Sequence, residues 1–198
     1  MSLKKWEKCL SKKQFLHLIH VVIYKTLKEF NYTIRPYVYE SKLSGDALMS
    51  FCESGRYMAI AFDYAKFKRN VGEYGYEEQF VYLVQIVSHE MRHYYQYRQM
   101  MAKNPREKEE TIESWREDKV VKVRGMEKEE NANYWFSARE LDASLFSYVY
   151  TLRNLKSANL NAIISKAHFN ALKKLYKQYG GTNVKTYFSN KVKRAVSR

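Results

Sequence analysis

The stretch Ser88-His89-Glu90-Met91-Arg92-His93-Tyr94-Tyr95-Gln96 decides how the rest of the chain is read. Two histidines stand four positions apart, with a carboxylate directly after the first. On an α-helix, positions i and i+4 lie one above the other on one face, so two imidazoles placed there can grip a single ion. Glu90 then points sideways, towards whatever occupies the open coordination position. The chain's own His and Glu frequencies give roughly 0.01 accidental occurrences of His-Glu-x-x-His in a sequence of this length. Upstream, Phe80, Leu83, Val84 and Val87 recur at helical spacing and predict a buried face that runs into His89 and His93. An ion held on such a half-buried helix meets water from one side.

Length and composition agree with a folded protein. The 198 residues are 45% hydrophobic and 16% aromatic, which excludes a disordered tail and suits a single domain with a real core. Cys9 and Cys52 stand apart without CxxC spacing and read as free thiols of a reducing compartment, one structural disulfide being the alternative. The apolar run from Phe15 to Tyr24 contains His17 and His20, lacks a small-residue cleavage site, and is too short and polar to span a bilayer. A cytoplasmic protein without a membrane span is expected. The net charge of +14 is uneven: Ala143 to Arg198 holds eleven Lys and Arg and no Asp or Glu. Such a run is either a solvated surface or a contact for an anionic partner, whether nucleic acid, an acidic protein or a lipid surface.

The expected fold class is α+β. An amphipathic helix is predicted from about Lys4 to Phe30, ended by Asn31, with His17 and His20 as packing or surface residues. Tyr32 to Glu40, with Pro36, reads as an edge strand; Ser44-Gly45-Asp46 is a turn. Ala47 to Cys52 and Tyr57 to Tyr64 form a hairpin, completing a three-stranded antiparallel sheet before the motif helix of Tyr76 to about Met101. The charge-dense residues 103–131 read as an exposed insertion with some helical character. A second core helix is predicted over Ala132 to Leu155, and a third over Asn159 to Tyr179, closed by Gly180-Gly181; Ser189 to Arg198 is a short basic helix or a tail. The organisation expected is one domain over 1–198, with the charged insertion at about 103–131 and a basic helical part at about 156–198.

Two histidines leave a zinc ion short of one protein ligand. The candidates lie in Ser137-Ala138-Arg139-Glu140-Leu141-Asp142-Ala143-Ser144-Leu145-Phe146. Here the sequence resembles zincin metallopeptidases of the gluzincin kind, in which a second helix supplies a Glu within Glu-x-x-Ala. It is similar in particular to the ImmA/IrrE family, whose pattern of roughly Glu-x-Glu-Ala-Asn/Asp-x-Phe-Ala is matched by Glu140-x-Asp142-Ala143-Ser144-x-Phe146-Ser147. Ser144 departs from the family's Asp or Asn. The likeness covers the two motif helices and the order of sheet before helix.

The resemblance implies a zincin-like fold, one Zn2+ held by His89, His93 and Glu140, and hydrolysis of peptide bonds by a zinc-activated water with Glu90 as general base. A protein or peptide substrate would lie extended along the sheet edge. The residues themselves also favour Glu140. It shares a helix face with the small Ala143, Ser144 and Ser147, so its backbone can come close to the motif helix. Asp142 lies about 200° round from Glu140, so both cannot ligate one ion; it stays as the shorter rival for the position. Tyr94, Tyr95, Tyr134 and His168 are types that can steady an oxyanion. The alternative from another class is a non-catalytic zincin-fold module that binds nucleic acid or an acidic protein through its basic C-terminal third. Glu90 argues against it, because a structural metal needs no base and normally takes four protein ligands.

Overall fold

A computed structural model describes residues 9–54, 57–72, 74–118, 120 and 132–155. They fall into two compact units, Met1–Tyr94 and Tyr95–Arg198. The order is mixed α+β: a helix, a small sheet, then further helices.

The first unit opens with α1 (Lys12–Phe30). Ser11 caps it: the Gln14 amide donates to the Ser11 hydroxyl at 3.3 Å, and the Ser11 amide donates to Gln14 Oε1 at 2.9 Å. This reciprocal box starts the helix at Lys12, with Cys9 and Leu10 outside it; the expected start at about Lys4 lies outside the described residues. Asn31, at φ 54, takes the left-handed conformation and ends it. The buried face carries Phe15, Ile19, Val22, Ile23 and Leu27, while His17 and His20 are exposed.

Strands β1 (Tyr37–Glu40), β2 (Met49–Ser54) and β3 (Tyr57–Phe62) lie in the order β1-β3-β2. The hairpin of β2 and β3 is antiparallel as expected, but β1 runs parallel to β3, so the sheet is mixed. Burial explains the correction. Ala59, Ile60, Ala61 and Phe62 are all buried, so β3 takes the centre with both edges paired. The hairpin fills one edge. Residues 41–48 then reverse the chain across two strand spacings, about 10 Å, which leaves β1 opposite in direction to β2 and therefore parallel to β3. Gly45, at φ 54, supplies the turn in that connection. Phe15 packs on Phe62 on one face of β3, with ring centroids 5.6 Å apart. In register with Ala59 and Ala61, the Tyr37 and Tyr39 rings stack at 6.1 Å.

Helix α2 (Tyr64–Val71) follows at once and replaces the end of the expected strand. Its N-cap is Asp63, which accepts the Lys66 amide at 2.8 Å and the Leu43 amide at 3.3 Å. The buried Lys66 ammonium donates to the carbonyls of Leu43, Gly45 (2.9 Å) and Ala47 (3.2 Å), fixing the connection that leads into β2. Helix α3 (Tyr76–Met100) carries the motif; Leu83, Val84 and Val87 are buried along it as their spacing requires, Phe80 is half-buried, and Met91 within the motif is buried too.

In the second unit, α4 (Glu109–Arg116) buries Thr111, Ile112, Ser114 and Trp115 and packs against α6 (Ala138–Asn154). The segment is therefore more than an exposed insertion. Ile112 and Trp115, three apart, give an otherwise charged helix an apolar stripe. Glu107, just before it, is buried and accepts the Tyr95 hydroxyl at 2.8 Å. The helix expected over 132–155 is broken into α5 (Ala132–Trp135) and α6, because Ser137 is extended (φ −68, ψ 154) and caps α6. Residues 121–131, the expected third core helix and the basic tail lie outside the described residues. Cys9 and Cys52 are free thiols. Among the described residues, no helix is long and apolar enough to cross a membrane.

Candidate metal centre

The i, i+4 pair sits on α3 as its spacing demands. His89 and His93 are half-buried, with their Nε2 atoms 3.0 Å apart and their rings nearly perpendicular at 81°. Two imidazole nitrogens bound tetrahedrally to zinc at ~2.0–2.1 Å stand about 3.3 Å apart. A few tenths of an ångström separate the pair from that geometry. A histidine that binds an ion through Nε2 carries its ring proton on Nδ1, so an ion shared by this pair would require that tautomer of both.

Glu140 completes the set. His89, His93 and Glu140 each offer one ligand atom, and these atoms all lie within 4.8 Å of one another. Such a group can hold a metal ion. Its donors would be two imidazole nitrogens and one carboxylate oxygen. Local sequence places Glu140. Ser137 is the N-cap and accepts the Glu140 amide at 3.4 Å, while the Ser137 amide goes to the Tyr134 carbonyl at 3.1 Å. Ser-x-x-Glu here thus starts the helix without the Glu side chain closing a capping box. Glu140 is 7% exposed, so it is no surface carboxylate, and Arg139 pairs instead with Asp118 at 3.5 Å.

Glu90 lies outside the ligand set. It is 8% exposed, and its Oε2 accepts the Phe51 amide from β2 at 2.7 Å. Asp142, the rival ligand, is engaged elsewhere: its Oδ2 accepts Gln96 Nε2 at 2.8 Å. Nor do the tyrosines beside the motif offer their hydroxyls for an oxyanion. Tyr94 donates to the Ile34 carbonyl at 2.5 Å, and Tyr95 to Glu107. Tyr134 is 56% exposed, its ring edge-on to Trp135 at 5.0 Å. His168 lies outside the described residues. Sequence reading missed Phe51 and Gln96. Phe51 acts through its backbone and left no signal; Gln96, seven positions after His89, was legible as a continuation of the histidine stripe.

No family model, curated protein or solved structure matches this chain.

Proposed function

We propose that this chain is a zinc-dependent metallopeptidase with a zincin-like fold, of the kind its motifs resemble in the ImmA/IrrE family. One observation carries the reading: His89, His93 and Glu140 converge within 4.8 Å with a second buried carboxylate, Glu90, beside them but outside the set. A purely structural metal has no use for that fourth group.

A bound zinc ion would supply an acidified water and a Lewis acid for the substrate carbonyl. Glu90 takes the proton from the attacking water and returns it to the leaving amine. The Phe51 amide engages its Oε2, which leaves Oε1 as the less encumbered oxygen to carry the travelling proton in this reading. That bond also fixes the carboxylate's orientation, so no rotamer search precedes each transfer. Glu90 occupies the outward Phe51 amide of edge strand β2, so an extended peptide added as a further strand would pair with the outward groups of β2 other than that amide.

The metal content of protein purified without chelator tests the reading first. One zinc per chain is expected in the wild type and in Glu90→Gln, and little in Glu140→Gln. Proteomes of cells expressing wild type or Glu90→Gln are then compared, with turnover expected to fall about 10²–10⁴-fold in the variant. Identical cleavage patterns with zinc bound in both would leave the second reading, a non-catalytic binding module. The acid-free run from Ala143 to Arg198 favours that reading, or a cytoplasmic peptidase directed to acidic or nucleic-acid-bound substrates.

A further inference from the structure

We infer that Gln96 is a positioning residue for the metal centre, clamping the first turn of α6 so that Glu140 is presented to the histidines. The inference rests on the zinc reading above and names a residue which that reading does not use.

His89, His93 and Gln96 occupy positions i, i+4 and i+7 of α3, within an arc of about 60°. The face that offers two imidazoles therefore offers a carboxamide next. Gln96 is 1% exposed, and its Nε2 donates to the Arg139 carbonyl at 2.9 Å and to Asp142 Oδ2 at 2.8 Å. A carboxamide nitrogen carries two N–H groups, so each of these acceptors can have one. They flank Glu140 in sequence, one residue before it and two after.

Charge and burial make this a clamp of defined register. Asp142 is 5% exposed, and a carboxylate acceptor strengthens the bond roughly twofold over a neutral one. An apolar contact in the same place would hold the helices together but would tolerate sliding. The opposite side of the turn is held too, since Asp118 Oδ1 accepts the Arg139 amide at 3.3 Å and Ser137 caps the Glu140 amide. Asp142 thus accepts from Gln96 at a position about 200° round the helix from Glu140. The two acidic residues would divide the work: Glu140 would serve the ion and Asp142 would set where Glu140 stands.

The test uses the full chain and three measurements: zinc affinity by competition with a chromophoric chelator, the visible spectrum with cobalt(II) in place of zinc, and thermal unfolding after the metal is stripped. Gln96→Met keeps the side-chain volume but has no donor; Asp142→Ala removes the acceptor. Both are expected to weaken zinc binding about 10–100-fold, measured well below each variant's unfolding midpoint, and to shift the cobalt bands. Asp142→Asn keeps an acceptor and is expected to bind zinc like the wild type. Should Gln96→Met fail to fold, Asp142→Ala makes the same comparison without stranding a buried charge. Wild-type affinity and an unchanged cobalt spectrum in the folded variants would overturn the clamp alone. Loss of zinc in Asp142→Asn as complete as in Glu140→Gln would make Asp142 a ligand and overturn it as well. A wild type that takes up no zinc, or a Glu140→Gln variant that binds it normally, would sink the zinc reading and this inference with it.

Discussion

The Phe51 amide donates to Glu90 Oε2 at 2.7 Å, joining the outward edge of β2 to the motif turn of α3. Strand geometry makes that bond available. The Asp63 amide donates to the Leu48 carbonyl, so alternate residues of β2 face β3, and Phe51 is one that faces away. An edge amide without a strand partner needs an acceptor, and the catalytic candidate provides it.

Stability should register this bond separately from chemistry. Glu90→Ala removes the acceptor and is expected to cost about 1–3 kcal/mol. Glu90→Gln keeps an acceptor and should fall between Glu90→Ala and the wild type. Urea unfolding of metal-stripped protein checks the order; an alanine variant as stable as the wild type would show that the Phe51 amide finds another partner at no cost.

Acid should weaken the junction of β3 and α2. The backbone bond from Lys66 to Asp63 holds its carboxyl below the ordinary value; the Leu43 amide and the charges of Lys66 and Arg69 add to this, and burial opposes it. A carboxyl with a depressed folded-state pKa stabilises the fold fully above its unfolded value of ~3.9 and loses that contribution as pH falls through the lower folded value. Asp63→Asn retains a capping oxygen and should flatten this part of the acid response. Asp63→Ala should cost about 0.5–2 kcal/mol near neutral pH. Unfolding curves recorded from neutral to acid pH for all three proteins decide it.

Trp115→Ala tests whether α4 belongs to the core. The indole is 2% exposed and meets the Tyr95 ring edge-on at 6.5 Å, so truncation is expected to cost about 3–5 kcal/mol. A change within about 0.5 kcal/mol, the range of surface substitutions, would return residues 109–116 to the exposed insertion that their charge suggests.

Polyanion binding is the prediction of the basic run from Ala143 to Arg198. Labelled DNA or heparin titrated against the whole protein should bind at low salt and weaken steeply as salt rises, because each phosphate contact releases counterions. An absence of binding at low ionic strength would reduce the charge to a solubilising coat.

The legible part of the candidate centre was the part encoded by short-range spacing. His89 and His93 four apart, the apolar stripe before them, and Glu140 with small residues at i+3, i+4 and i+7 are helical patterns, and a helix brings such positions together whatever surrounds it. Asn31 ending α1 and the β2–β3 hairpin were readable for the same reason: their geometry is settled within a few residues. Caps proved harder. Ser11, Asp63 and Ser137 moved or created helix ends, because one side-chain oxygen bonding a backbone amide outweighs a faint continuation of periodicity.

By itself, then, the sequence determined the motif helix, the pairing of two imidazoles on it, the candidate third ligand and the excess of positive charge. Tertiary structure alone decided that β1 joins β3 in parallel, that Trp115 is buried, that Asp142 turns to Gln96, and that Glu90 is held by Phe51. Each of these depends on partners far apart in the chain. Asp142 is 46 residues from Gln96, and Phe51 39 from Glu90. No local period records such a meeting, since its energy exists only once the chain has closed the loop between the two.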